Sequence, residues 1–351
     1  LWQMIKNLVE GLPVTSLEEN VLAKSSLGTM AMEYKPLPQR RRWWQLPSGT
    51  PIPRKPTDTA DSYSRLEIFL FNPYQWLLKY PASLKPSRIL AVSDSFLLYG
   101  KLTHGLIERF YLDKSIDALQ MDEATFAQWF ACHFEQIIAE EGAVLLLPGR
   151  GAELERFRGE VFRAMQELRK QLDSASVISV EPEKKLEGEY VGGKIAGFAD
   201  LVLTHGNKSR SIIDLKWSGG NKYPAKLEKN SAVQLAIYSK LLREIEGNGI
   251  WPPIAYFLLA QARLYAPDDL TYPETVVKAP KNQGNLAQLW IKFETSWRWR
   301  KQQLDAGSIE VALESMKEMA DQDSQPPDGA LDPEYLNEIY NDYLALAGWV
   351  S

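Results

Sequence analysis

Residues 194–238 read KIAGFADLVLTHGNKSRSIIDLKWSGGNKYPAKLEKNSAVQLAIY and contain the strongest fold signal of the chain. Residues 195–204 and 209–217 are rich in β-branched and aromatic side chains, which favour strands. Between them stands HGNK at 205–208, where Gly and Asn can adopt the positive φ of a tight turn. The pattern predicts two antiparallel strands joined by a hairpin, followed by a loop and a helix.

The register of this hairpin brings two acidic residues together. If the turn is centred on Asn207, Asp200 lies opposite Asp214, and opposed residues project on one face with Cβ atoms about 5 Å apart. Lys216 follows Asp214 by two positions and shares its face. Two carboxylates this close repel unless one keeps its proton or a cation such as Mg²⁺ lies between them. The alternative is a solvated cluster of ion pairs, but the apolar residues flanking Asp214 indicate a central strand whose charges line a cleft.

Three motifs in this stretch resemble, in order and spacing, the signature of PD-(D/E)xK nucleases. They are GFAD at 197–200, IIDLK at 212–216 and QLAIY at 234–238. The resemblance is to the RecB-like branch, which includes AddB nuclease domains and CRISPR-associated exonucleases. It implies an α/β fold with a restriction-endonuclease-like core, in which helices flank a central mixed sheet, together with helical additions.

The resemblance also implies roles for individual residues. Asp200, Asp214 and Lys216 match the catalytic residues of the family, and Lys216 is implied to orient the nucleophile or to stabilise developing negative charge. Gln234 and Tyr238 lie four residues apart on the predicted helix. They are implied to position the nucleic-acid strand and the active site.

Two segments upstream resemble the same branch. Residues 62–73 are similar to an S-x-S-x-L-E…C-P segment in which the Cys helps to ligate an iron–sulfur cluster, but Asn72 stands at that place. Such a cluster needs several thiolates, and Cys132 is the only cysteine, so we expect no iron–sulfur cluster. GKLTHGLIE at 100–108 resembles a motif whose histidine helps to hold the metal. His104 is therefore predicted to join the metal site.

The implied metal site holds Mg²⁺ or Mn²⁺. His104, Asp200 and Asp214 are its expected ligands, and the carbonyl group of Leu215 is a further candidate. Related nucleases carry an acidic residue near the end of the preceding strand, which predicts Glu181 as an additional ligand. Three other acidic residues compete for that role: Glu183, Glu187 and Glu189.

The chain divides into three predicted parts. Residues 1–60 form a helical and Pro-rich basic arm, residues 61–305 form the nuclease domain, and residues 306–351 form an acidic helical appendage. The arm carries three consecutive arginines beside two tryptophans, which can contact phosphates and stack on bases. The alternative is a solvated linker whose tryptophan pair docks on the domain, and it is favoured because a basic run of three residues is common. The arginines are Arg40, Arg41 and Arg42.

Composition limits the class of protein. The hydrophobic fraction is 45% and the charged fraction is 24%, as in ordinary globular domains. The formal charge of −5 counts against nucleic-acid binding, because such proteins are usually basic. One cysteine and no apolar run of membrane-spanning length predict a cytoplasmic protein without a membrane partner.

Together these features predict a metal-dependent DNA nuclease. The resemblance implies an exonuclease or end-processing enzyme that acts on DNA with a helicase or ATPase subunit, in repair, recombination or defence. One alternative is a DNA-binding or scaffolding module with a nuclease fold and no activity. It is disfavoured because both aspartates and the lysine are present. A sequence-specific restriction endonuclease shares the same core, but the two upstream segments favour the RecB-like branch.

Overall fold

The chain folds around a six-stranded sheet with helices on both faces. A computed structural model describes residues 41–47, 49–50, 52, 59–85, 95–335 and 341–347. The strands are β1 (Trp43–Gln45), β2 (Val177–Tyr190), β3 (Gly193–His205), β4 (Arg210–Lys216), β5 (Ile254–Leu258), β6 (Arg263–Ala266), β7 (Val276–Val277) and β8 (Ser308–Glu310). The α-helices are α1 (Tyr63–Phe71), α2 (Pro73–Lys79), α3 (Ser95–Leu112), α4 (Glu123–Glu141), α5 (Gly151–Ser174), α6 (Lys222–Glu228), α7 (Val233–Glu246) and α8 (Leu286–Asp305).

The sheet is mixed, and its strand order is β2-β3-β4-β5-β6-β7. Neighbouring strands are antiparallel except for β4–β5 and β6–β7, which are parallel. The predicted α/β fold with a central mixed sheet is therefore confirmed. No helix among the described residues combines the length and the apolar character needed to cross a bilayer.

Two hydrophobic clusters cover the two faces of the sheet. Val202 and Ile212 belong to the cluster formed with α1, α7 and α8, whereas Leu203 and Ile213 belong to the cluster formed with α3, α4 and α5. Adjacent strand residues point to opposite faces, so a strand buried on both sides is apolar at nearly every position. This explains why Ile212, Ile213 and Leu215 surround the single aspartate in the buried middle of β4.

The β3–β4 hairpin has the predicted register. Leu201 pairs with Ile213, so that Asp200 and Asp214 follow at the next opposed positions, where the two strands diverge. The residue of the turn with a positive φ is Lys208 (φ 67°) rather than the glycine or the asparagine beside it. The backbone N–H of Lys208 donates to the carbonyl of His205 at 2.8 Å, which closes the turn.

The residue pattern predicts a short strand and a polar extension over residues 177–193, and one buried strand over residues 254–264. Both predictions were wrong in extent. β2 is one strand of 14 residues that pairs with β3 over nearly its whole length. The run 254–264 is not one strand. It is instead β5, a short 3₁₀ turn and β6, because Ala262 adopts a left-handed conformation (φ 49°) that reverses the chain.

The first and last strands form a small sheet of their own. β1 pairs with β8, and Trp43 lies opposite Glu310. Arg42 precedes β1 and is buried, with its Nε donating to Glu310 Oε1 at 2.9 Å. The prediction that Arg42 contacts nucleic acid was therefore wrong, because its guanidinium group is buried and paired with Glu310. Arg41 is exposed, and Arg40 lies outside the described residues.

The segment after residue 305 packs as part of the main body. Arg41–Ala347 form one compact unit, and Val311 and Leu313 are fully buried in the same cluster as α7. The sequence predicted a separate acidic appendage from residue 306. The acidic composition concealed the few apolar residues that anchor this segment.

Candidate active site

The site lies where β3 and β4 separate. Beyond the Leu201–Ile213 pair the two strands are no longer joined by backbone bonds, and the carboxylate of Asp200 enters the gap. Asp200 Oδ2 accepts a hydrogen bond from the backbone N–H of Leu215 at 2.7 Å. This side chain therefore replaces a strand partner and fixes the width of the cleft.

Asp214 is fully buried beside a lysine. Lys216 Nζ lies 2.8 Å from Asp214 Oδ2, and the side chain of Asp214 has 0% of its surface exposed. Lys216 is the one ion-pair partner of Asp214 among the described residues, and Oδ1 of Asp214 accepts no hydrogen bond from them. A buried carboxylate oxygen without a donor is unfavourable in a folded protein. The arrangement suits a cation that takes its ligands from this side of the cleft.

The charges of the cleft are strongly coupled. Burial raises the pKa of Asp200 and of Asp214 to about 6 each, although the ammonium group of Lys216 acts in the opposite direction. Burial by itself would lower the pKa of Lys216, but Asp214 and Asp200 outweigh it and hold that pKa above its usual value. Lys216 is therefore an ammonium ion at neutral pH in the metal-free protein.

Helix α3 brings His104 to the same cleft. His104 Nδ1 lies 3.9 Å from Asp200 Oδ1, and a backbone hydrogen bond ties the imidazole to Leu215. Burial lowers the pKa of His104, and Lys216 lowers it further. The ring is therefore neutral near pH 7, which is the form that binds metals.

Glu183, not Glu181, lies beside these groups. Ligand atoms of His104, Glu183 and Asp200 all lie within 4.8 Å of one another. Glu181 instead forms ion pairs with Lys184, at 2.5 Å, and with Arg210. Burial raises the pKa of Glu183, and its backbone adopts a left-handed conformation (φ 46°). Such strain is found at functional sites when the surrounding structure enforces it.

A sequence signal for Glu183 existed in the second hairpin. Pro182 pairs with Leu201 and Lys184 pairs with Ala199, so Glu183 stands opposite Asp200. The same arithmetic that paired Asp200 with Asp214 gives this result once the two-residue turn Val191–Gly192 is recognised, because Tyr190 then pairs with Gly193. Reading β2 as a polar extension hid that turn.

Helix α7 carries the two predicted polar residues, Gln234 and Tyr238. It packs on the face of the sheet opposite to the one that α3 covers. Tyr238 is buried and forms a side-chain hydrogen bond with Gln234. Burial raises the pKa of Tyr238 to about 12, and Asp214 and Asp200 contribute to the rise. Tyr238 is thus close enough to sense both carboxylates, and its hydroxyl group remains protonated.

Gly197 sets how closely α7 approaches β3. A Cβ atom at this position would lie 2.7 Å from Tyr238 Cε1. We expect Gly197→Ala to lower the free energy of unfolding by about 1–3 kcal/mol, because overpacking forces the ring to move. Urea denaturation tests this. Gly159→Ala is the control, because its Cβ would meet nothing within 4 Å on helix α5. Equal stability of the two variants would contradict the prediction.

The buried pair of aspartates makes the metal-free protein pH-sensitive. Because burial raises the folded-state pKa of Asp214 to about 6, ionising it removes stability as pH rises from about 4 to about 6, and this stability stays lost above that range. We expect Asp214→Asn to raise the free energy of unfolding in EDTA at about pH 8 by about 1–3 kcal/mol. The gain should shrink at about pH 5. Denaturant unfolding at both pH values tests this, and a less stable variant at the higher pH would disprove it.

Comparisons with known proteins found one family and one solved structure to report. Residues 61–327 match the model of the PD-(D/E)XK nuclease superfamily. The chain is also similar to the solved structure of a candidate exonuclease from Eubacterium rectale, with 12% sequence identity, a TM-score of 0.39, and coverage of 77% of this chain and 91% of that chain. No curated protein matches the chain at a significant level. Because the family match spans well over half of its 351 residues, the chain belongs to the PD-(D/E)XK nuclease superfamily.

Proposed function

We propose that this protein is a metal-dependent DNA nuclease of the RecB-like branch, which hydrolyses phosphodiester bonds as an exonuclease or end-processing enzyme. The observation that carries the proposal is the cleft in which Asp200, Asp214 and Lys216 meet His104. An intact set of charged groups, held at a cost to stability, indicates catalysis rather than scaffolding.

The donor set fits a divalent ion. Among the described residues, the buried carboxylate of Asp214 has Lys216 as its one ion-pair partner, and its Oδ1 accepts no hydrogen bond from them. Oxygen ligands with one neutral imidazole suit Mg²⁺ or Mn²⁺. Asp200, Asp214 and His104 would hold the ion, with Glu183 and the carbonyl of Leu215 as further ligands. When bound, such an ion acidifies water and neutralises phosphate charge.

The protein's own groups orient the reaction. Lys216 is a fixed cation, so it stabilises negative charge that develops on the phosphate during attack. Asp214 holds the ammonium group in place through their 2.8 Å contact. Gln234 and Tyr238 hold the nucleic-acid strand from the α7 side, with the Tyr238 hydroxyl acting as a hydrogen-bond donor.

Two further assignments rest on the sequence resemblance. They are action on DNA ends with a helicase or ATPase partner, and a place in DNA repair, recombination or defence. A cytoplasmic location is proposed from the single cysteine of the chain. We also propose that no iron–sulfur cluster is bound, because such a cluster needs several thiolates and the chain has one cysteine. Arg41, which is exposed, is retained as a candidate phosphate contact.

Digestion of end-labelled DNA tests the proposed function. Linear single- and double-stranded substrates are incubated with Mg²⁺, Mn²⁺ or EDTA, and the product ladder gives the direction of cutting. We expect cleavage with either metal, none in EDTA, and recovery when metal is added back. Asp214→Asn, a variant expected to be at least as stable as the wild type in EDTA, should not cut. DNA binding by the wild type without cleavage under any condition would overturn the nuclease assignment in favour of a binding module.

A further inference from the structure

We propose that Phe198 is a stacking platform for an unpaired nucleobase next to the scissile phosphate, an inference that rests on the proposed nuclease function. Phe198 lies two residues before Asp200 on β3, and 54% of its surface is exposed. Two residues of strand span about 7 Å. A phosphate held at Asp200 therefore has the phenyl ring within reach of its own base or of the next one.

Strand alternation places the ring on the side of β3 that faces away from α7. Gly197 faces α7, because a Cβ there would meet the ring of Tyr238. Its cross-strand partner Leu186 is buried in the cluster on that same side. Consecutive strand residues point to opposite faces, so Phe198 and its partner Lys185 point away from α7.

The face that Phe198 occupies is the one from which His104 approaches. Helix α3 packs against β2, and its His104 reaches Asp200 and Glu183. The phenyl ring and this group of ligands therefore lie on one side of the β2–β3 ribbon. β4 pairs with β3 only from Leu201 onward, so the ribbon is open beside Phe198.

The chemistry of the surroundings favours a single nucleic-acid strand. Lys185, directly across from Phe198, is 57% exposed and supplies positive charge beside the ring, although it also contacts Glu187. Aromatic side chains beside basic groups bind unpaired bases, and each stack contributes about 1–3 kcal/mol. A base inside a duplex is already stacked on both sides, so the platform serves a single strand or a frayed end.

A base-by-side-chain cycle tests the platform. The dissociation constant of a fluorescent oligothymidylate of about 12 nucleotides is measured in EDTA. It is compared with the dissociation constant of an oligonucleotide of the same length that carries abasic sites. We expect the wild type to bind the base-bearing strand about 10-fold more tightly than the abasic strand. Phe198→Ala and Phe198→Leu should abolish this preference, and Phe198→Trp should keep it. Ile178→Ala is the matched control, since Ile178 is a comparably exposed residue of β2.

The outcomes separate this inference from the proposed function. A preference that is unchanged in Phe198→Ala and Phe198→Leu would overturn the platform and leave metal-dependent cleavage by the wild type as evidence for the nuclease. A wild type that shows no preference for bases would also overturn it. If the wild type neither binds nor cuts DNA, the proposed function fails and the inference fails with it.

Discussion

Replacing Lys216 with methionine is expected to lower the single-turnover rate of DNA cleavage by about 10²–10³-fold at saturating Mg²⁺. The ammonium group lies 2.8 Å from buried Asp214, and its pKa is held above the usual value by two carboxylates. It therefore supplies a positive charge that no other described lysine or arginine places within ion-pair distance of Asp214. Methionine keeps the length and apolar volume of the side chain and removes only the charge.

The controls for Lys216 separate its charge from its geometry. Lys216→Arg keeps a cation but changes a compact ammonium into a planar fork, so we expect partial activity. Lys170→Met removes an exposed lysine on α5 and should leave the rate unchanged. Because the ammonium form is the active one, the rate should not rise as Lys216 loses its proton at alkaline pH. A Lys216→Met variant that cuts at the wild-type rate would remove this residue from the mechanism.

Replacing Glu310 with alanine is expected to lower the free energy of unfolding by about 3–5 kcal/mol. Glu310 is buried and is shared by two buried arginines: Oε1 accepts from Arg42, and Oε2 accepts from Arg300 at 2.5 Å. Without the carboxylate, two guanidinium groups remain inside the protein with only neutral acceptors such as the carbonyl of Met316. Leaving a buried charge unpaired is far less favourable than losing an exposed pair.

Urea denaturation of two variants measures the effect of Glu310. Glu310→Ala is compared with Glu294→Gln, which removes a partner of the exposed Arg298 on α8. The second change should alter the free energy of unfolding by less than about 1 kcal/mol. A Glu310→Ala variant that unfolds within about 1 kcal/mol of the wild type would show that water enters the cluster and solvates the arginines.

The two strands of the candidate site were predictable because their information is local. Turn residues fixed the centre of the β3–β4 hairpin, and period-two geometry then placed Asp200, Asp214 and Lys216 in one cleft. The first hairpin was missed because β2 carries charges at alternate positions and its turn lacks a strong signal. That omission explains why Glu181 was predicted where Glu183 lies.

The contacts made by Arg42 were not predictable from local pattern. Its partner Glu310 lies 268 residues away, and a basic Pro-rich segment reads as a solvated arm. The turn at Ala262 was hidden for a different reason. Alanine is not a turn former. The apolar residues on both sides of Ala262 are compatible with either one long strand or two short strands.

The pairing of β1 with β8 separates the boundary of homology from the boundary of the folding unit. The family match begins at residue 61, yet Arg42 and β1 lie before it and complete the core around Glu310. A protein shortened to the homologous segment would retain the residues of the candidate site and lose Arg42, a counter-charge of buried Glu310. Inactivity of such a fragment would then reflect its failure to fold. In comparative studies of this superfamily, the ends of a shortened protein should be chosen from the contacts that complete the core rather than from the alignment.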